Sequence, residues 1–250
     1  MSAKNFMSDD YNDNDCQDNQ RLITRAEHAY QQIQSAIVRG EIAAGSKIIE
    51  TDLAKTYGIS RGPLREAIHR LEAQKLLERT AHVGTRVVCL SLAELNELYQ
   101  IRANLESLAC KLTAEKQDPA VIDELHDILR LHANDENLQQ NTDYYPQSLD
   151  DDFHYCIIKN SGNTLLAKLL CDELYHLIKM HRIRFARTQG RPKQALEEHR
   201  QILSAIACGD GQLAQMLMQR HIMASYQNIR EHFAKQSTQH HNQTNQQECL

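Results

Sequence analysis

The stretch ETDLAKTYGISRGPLREAIHRLEAQKLL, residues 50–77, constrains the fold more than any other part of this chain. Leu53, Ala54 and Tyr57 form one apolar face, Gly58 breaks it, and Ser60 stands where a new helix needs its N-cap. Pro63 falls in the first turn of that helix, where its missing N–H costs little. Leu64, Ala67, Ile68 and Leu71 then form a buried stripe, which leaves Arg61, Arg65 and His69 on other faces. Two short helices joined through Gly58-Ile59 predict a helix-turn-helix, whose second helix would lay its exposed N-terminal side in a DNA major groove.

The flanks agree. Ala29, Ile33, Ala36 and Ile37 recur at helical spacing and the run ends at Gly40. Downstream, LLERTAHVGTRVVCL reads as two short strands turning near His82-Val83-Gly84, a wing along which Arg79, His82 and Arg86 would sit. Residues 21–90 carry eleven Lys and Arg against seven Asp and Glu, inside a chain of net charge -5. Phosphate contacts come from local cations, so a locally basic segment in an acidic protein suits a nucleic-acid reader with a second domain.

Residues 26–90 resemble the DNA-binding domain of the GntR superfamily of bacterial regulators, through the G-x-S-R-x-P-x-R-E-A core, the R-L-E step and the Gly-bearing wing. The resemblance implies DNA contacts from Thr51, Ser60, Arg61 and Arg65, and from His82 and Gly84 at the wing tip. Some members have Arg where Thr51 stands, and Ala44 replaces the usual Pro before the second helix; the first of these bears on base preference. Arg61 or Arg65 would fork onto guanine O6 and N7, while Ser60 and a helix-start N–H bind phosphate.

From Ser91 onward no strand pattern intrudes. Ser91-Leu92-Ala93-Glu94 is a capping box, and further helix starts stand at Asp118-Pro119, Ser148, Asn163, near residue 193 and at Asp210. The predicted fold is mainly α: an N-terminal winged helix-turn-helix with a small β-wing over 23–90, then an all-α antiparallel bundle of about six helices over 91–235. Residues 1–22, acidic, and 236–250, rich in Gln, Asn and His, have little to bury and are expected to be disordered. Nine Gly and four Pro in 250 residues speak against a sandwich or barrel. Seven spread cysteines without a C-x-x-C pair read as reduced thiols. With no secretory signal and no apolar run of membrane-spanning length, a cytoplasmic protein with no membrane partner is expected.

Of thirteen histidines, His28, His126, His132, His176, His181 and His232 read as surface or satisfied core residues. Asp150 and His154 differ: four apart on one helix, they point to the same side and can share a cation. His199 and His221 lie on the two final helices, which antiparallel packing could bring opposite each other.

Residues 91–235 resemble the FCD-type sensor domain of the FadR-like GntR subfamily, through L-x-x-x-R-x-x-L-E at Leu98–Glu106, D-x-x-F-H at Asp150–His154, S-G-N at Ser161–Asn163, E-H-x-x-I at Glu198–Ile202, and His221. Metal-binding members hold a cation by one Asp and three His, which map onto Asp150, His154, His199 and His221; the acyl-CoA-binding branch lacks that set and fits less well. The donors suit zinc first, with nickel or manganese as alternatives, and leave positions open for a small carboxylate effector. Arg102 would clamp the acid's second carboxylate, its other reading being a surface ion pair with Glu106. Asn163, which would also cap its helix, and Arg184 are further ligand candidates. The resemblance implies a homodimeric regulator reading a palindromic DNA operator, a repressor released by its acid. The rival function is a metal-dependent hydrolase-type enzyme, in which the three-His, one-Asp site activates water; no nucleophile or general base is marked nearby.

Overall fold

The computed structural model describes residues 24–134, 152–186 and 191–247, with residues 235–247 as backbone alone. The segment 1–22 and the helix start at Ser148 lie outside the described residues. Helix α1 (Arg25–Val38) begins under Thr24, whose hydroxyl accepts from the Glu27 N–H at 3.1 Å. Its buried side packs on α3 (Arg61–Ala73), where Leu64, Ala67, Ile68 and Leu71 form the inner stripe. An Arg70–Glu27 ion pair of 2.7 Å, with Arg70 stacked 3.8 Å over the Tyr30 ring, clasps the two helices from outside. Helix α2 (Glu50–Tyr57) ends at Gly58 in the left-handed conformation, φ 63°, which turns the chain into α3 at little steric cost.

Strands β1 (Lys47–Ile48), β2 (Leu77–Thr80) and β3 (Gly84–Val87) form one antiparallel sheet in the order β1-β3-β2. Register pairs Leu77 with Val87 and Thr80 with Gly84, and Ile48 with Thr85. The wing thus has a third strand beyond the hairpin expected; two residues are too few for alternation to reveal it.

In the helical domain α4 (Leu92–Lys116) begins with the expected capping box, the Ser91 hydroxyl accepting from Glu94 N and the Glu94 carboxylate accepting from Ser91 N. Helix α5 (Pro119–Ala133) starts on Asp118 with Pro119 at its first position. There follow α6 (Phe153–Asn160), α7 (Thr164–Ala167), a π-helical turn over Lys168–Glu173, α8 (Tyr175–Ala186), α9 (Arg191–Ala207) and α10 (Gly211–Gln247). Helix α10 lies along α4, α9 packs on α10, α5 and α4, and α6 fits against α4 and α5. Helix α8 also touches α1, so the DNA-side and sensor-side domains meet there.

At the C-terminus, helix α10 is described to Gln247, through part of the segment from 236 that the sequence reading expects to be disordered. Polar composition argues only that these residues bury nothing; once a helix is nucleated, extension needs local hydrogen bonds, and no Gly or Pro follows Gly211 to stop it. Among the described residues Cys89, Cys110, Cys156, Cys171 and Cys208 are free thiols, and no helix is long and apolar enough to cross a membrane.

Candidate metal centre and nucleic-acid interface

Thr51 on α2, Ser60 at the N-cap of α3, and Arg61 and Arg65 in its first turns are all exposed. Ser60 occupies the N-cap position without a side-chain capping bond, leaving its hydroxyl free of that duty. Arg65 reaches back to Glu50 at 3.1 Å across solvent, a weak exposed pair that a phosphate or guanine can displace. At the wing tip His82 is exposed with φ 62°, and Gly84 follows at φ 99°, so the reversal itself requires these backbone conformations. Arg79 and Arg86 are engaged internally, with Glu72 at 2.8 Å and the Gly45 carbonyl at 2.9 Å.

In the other domain three helices converge. His154 from α6, His199 from α9 and His221 from α10 are 3%, 2% and 6% exposed, and their ligand atoms lie within 4.8 Å of one another. His199 Nε2 is 3.2 Å from His154 Nε2 and 3.2 Å from His221 Nε2. Phe153 stacks on the His199 ring at 4.5 Å and fixes its plane.

Two carboxylates settle what the imidazoles present. Glu106 Oε2 accepts from His154 Nδ1 at 2.7 Å, and Glu198 Oε2 accepts from His221 Nδ1 at 2.6 Å. Each Nδ1 therefore carries the proton, and each Nε2 turns a lone pair toward the other rings. Burial lowers all three imidazoles' proton affinity, His221 to about 3 in spite of its Glu198 bond, so they are neutral near pH 7. Burial alone would raise Glu106, but Arg102 and then His154 hold it far below the usual carboxylate range; Glu198 is held at about 2 against the same penalty by His221 and Arg191. The Nε2 lone pairs of His154 and His221 both face His199 Nε2. At a metal–nitrogen distance of about 2.1 Å, ligand nitrogens stand about 3.0–3.4 Å apart, which the two 3.2 Å separations fit.

Beside the histidines is a cavity of about 70 Å³ lined also by Arg102, Arg182 and Arg191, with Tyr99, Phe185 and Ile229 as its apolar wall. Arg102 is 2% exposed and bonds Glu106 through Nε at 2.7 Å, so the ion pair expected on the surface is buried; its Nη1 has no hydrogen-bond partner among the described residues. Arg182 and Arg191 were not anticipated. Arg182 holds Asp152 at 3.0 Å, and Arg191 holds Glu198 at 2.8 Å and the Ser225 hydroxyl at 2.8 Å.

Other expected residues stand elsewhere. Arg184 is exposed and not among the cavity-lining residues, because two positions along a helix turn a side chain through about 200° and α8 offers Arg182 instead. Asn163 caps α7, its Oδ1 accepting from Leu166 N at 3.0 Å, and lines a separate cleft with Lys116 and Ser161. Asp150 lies outside the described residues. The neighbouring Asp152, fully buried, caps α6 and accepts from the Tyr175 hydroxyl at 2.9 Å. His181 departs from the satisfied-core reading: it is fully buried and neither ring nitrogen has a partner among the described residues. The signals for Glu106 and Glu198 were present in the R-x-x-L-E and E-H-x-x-I segments, but their hydrogen bonds to histidines 48 and 23 positions away depend on packing.

The sequence matches the model of the bacterial regulatory proteins of the gntR family over residues 25–87 and that of the FCD domain over 97–224. The HTH-type transcriptional regulator YdhC of Bacillus subtilis is 30% identical over 81% of this chain and 88% of its own length. A probable D-xylose utilization operon transcriptional repressor of Paenarthrobacter nicotinovorans is 29% identical over 75% of this chain and 81% of its own. The solved structure of E. coli McbR/YncC shares the fold at a TM-score of 0.62 and 18% identity, covering 83% of this chain and 100% of that one. Winged domain and helical sensor domain are thus matched in this order along one chain, which belongs to the GntR family of bacterial regulatory proteins, in its FCD-containing branch, and is a DNA-binding transcriptional regulator and not an enzyme.

Proposed function

We propose that this regulator represses a catabolic operon and releases it when a small carboxylate seats at a divalent metal in the helical domain. The observation that carries the reading is the convergence of three neutral imidazoles beside a cavity lined by three guanidiniums. His154, His199 and His221 would hold the metal, zinc ahead of nickel or manganese, with Asp150 as the carboxylate ligand. Bound metal supplies a Lewis acid that grips a carboxylate oxygen. The Arg102 Nη1 without a partner takes the acid's remaining oxygens, since a buried guanidine N–H left unpaired is costly. The name of the xylose-operon relative supports the catabolic role.

On the DNA side, Thr51, Ser60, Arg61, Arg65, His82 and Gly84 form the contact set, in a cytoplasmic homodimer whose two-fold axis matches a palindromic operator. The acid shifts operator binding by as much as its affinity differs between the two placements of the winged domains. The helix α8, which carries Arg182 and touches α1, connects the cavity with the winged domain.

The test is His199→Ala. Wild type is expected to hold stoichiometric metal by elemental analysis and to lose operator binding with one member of a panel of small mono- and dicarboxylates. The variant is expected to lose metal and response while retaining basal operator binding. A metal-free variant that still responds normally refutes the metal-gated reading.

A further inference from the structure

Each of two cavity arginines is joined to a histidine of the metal centre through one shared carboxylate. In the first chain of contacts Arg102 Nε donates to Glu106 Oε1 at 2.7 Å, while His154 Nδ1 donates to Glu106 Oε2 at 2.7 Å. In the second Arg191 Nη1 donates to Glu198 Oε1 at 2.8 Å, while His221 Nδ1 donates to Oε2 at 2.6 Å. The two sets sit on different helices, α4 with α6 and α9 with α10, yet share this carboxylate bridge; Arg191 in addition donates from Nη2 to the His221 carbonyl at 3.3 Å. In both, the arginine lines the cavity and the glutamate stands behind it, its two oxygens divided between guanidinium and imidazole.

We propose that Glu106 and Glu198 are positioning residues that tie anion binding at the cavity's guanidiniums to the metal affinity of His154 and His221, so that metal and anionic effector bind with positive linkage. The inference rests on the metal reading above and goes further by assigning how the two ligands sense each other. A carboxylate behind an imidazole raises its basicity toward a metal, and a guanidinium on the same carboxylate withdraws part of that charge. An anion seated on the guanidinium neutralises it and returns the charge to the imidazole. Linkage then requires the metal to tighten the anion by the same factor. The Arg102–Glu106 pair, 2% and 3% exposed, works at low dielectric and carries the larger share; Arg191 and Glu198 are 11% and 21% exposed.

The wiring makes a prediction of sign that needs no effector. Full-length protein is titrated with zinc alone against a chromophoric competing chelator at pH 7.5. Glu106→Gln is expected to weaken zinc binding by about 10–100-fold, as loss of a partner behind a metal-bound histidine does. Arg102→Gln removes the other half of the same ion pair and is expected to tighten zinc binding several-fold. Glu198→Gln and Arg191→Gln are expected to repeat the opposed signs at smaller amplitude, and being partly exposed they keep the test decisive if a variant of the buried pair fails to fold. A purely structural ion pair would give weaker binding on removal of either partner; weakening by both arginine variants overturns the relay while leaving the metal reading in place. Wild type that binds no zinc, nickel or manganese overturns both.

Discussion

His181 offers the sharpest check on the helical core. Its ring is fully enclosed, lies nearly parallel to Phe185 at 6.4 Å, and has no partner at Nδ1 or Nε2 among the described residues. Burial above all, and then the Arg184 and Arg102 guanidiniums, depress its pKa to about 4 from the ordinary 6.5. Replacing it by leucine, of similar volume, removes two separate penalties. The first is desolvation of an unsatisfied polar ring, about 1–3 kcal/mol, present at every pH. The second is linked to protons: the unfolded chain takes up a proton below about pH 6.5 that the folded chain refuses until about pH 4. Wild-type stability attributable to this group is therefore intact above the unfolded pKa and drains away as pH falls through that window. The loss amounts to about 2 kcal/mol at pH 5 and about 3 kcal/mol at pH 4. His181→Leu is thus expected to be more stable than wild type by about 1–3 kcal/mol at pH 7.5, and by about 2 kcal/mol more at pH 5. Urea denaturation at the two pH values and one ionic strength measures both quantities. His154, His176, His199 and His221 are common to both proteins, so their titration cancels in the difference. A variant less stable at pH 7.5, or a stability gap equal at both pH values, refutes the reasoning.

Two further outcomes are expected. Asn163→Ala should cost about 1 kcal/mol through loss of the α7 cap while leaving metal content and acid response unchanged; loss of response would return Asn163 to the ligand site. Arg65→Ala should lose about 1–3 kcal/mol of operator binding and relax sequence preference at one base pair, read by quantitative mobility shifts on operator and random DNA at matched salt; unchanged specificity would remove Arg65 from the base-reading set.

The winged domain was legible because its signals are local. Gly58 must adopt φ 63° to join α2 to α3, and only a few residue types do so cheaply. Ser91 and Glu94 need only each other to close the capping box, and Asp118 only its own first turn. The site in the helical domain was legible in a weaker sense. His154, His199 and His221 were picked out through resemblance, and the structure brings the three together. The choice between Arg184 and Arg182 was not legible: both lie on α8, and which one faces the cavity depends on how that helix is rolled against its neighbours. Nor did Arg102 betray its burial, since an i,i+4 Arg–Glu spacing looks alike on an exposed and an enclosed helix face.

By itself, then, the sequence determined the order of domains, the helix boundaries set by caps and glycines, and the presence of donors able to hold a cation. Tertiary packing alone decided which guanidiniums enter the cavity, which glutamates stand behind the histidines, and that His181 is sealed without a partner. The physical reason is one of range: a cap or turn is fixed by groups within four residues, whereas the face a side chain presents to a site is fixed by helices tens of residues away, through burial energy summed over the whole core.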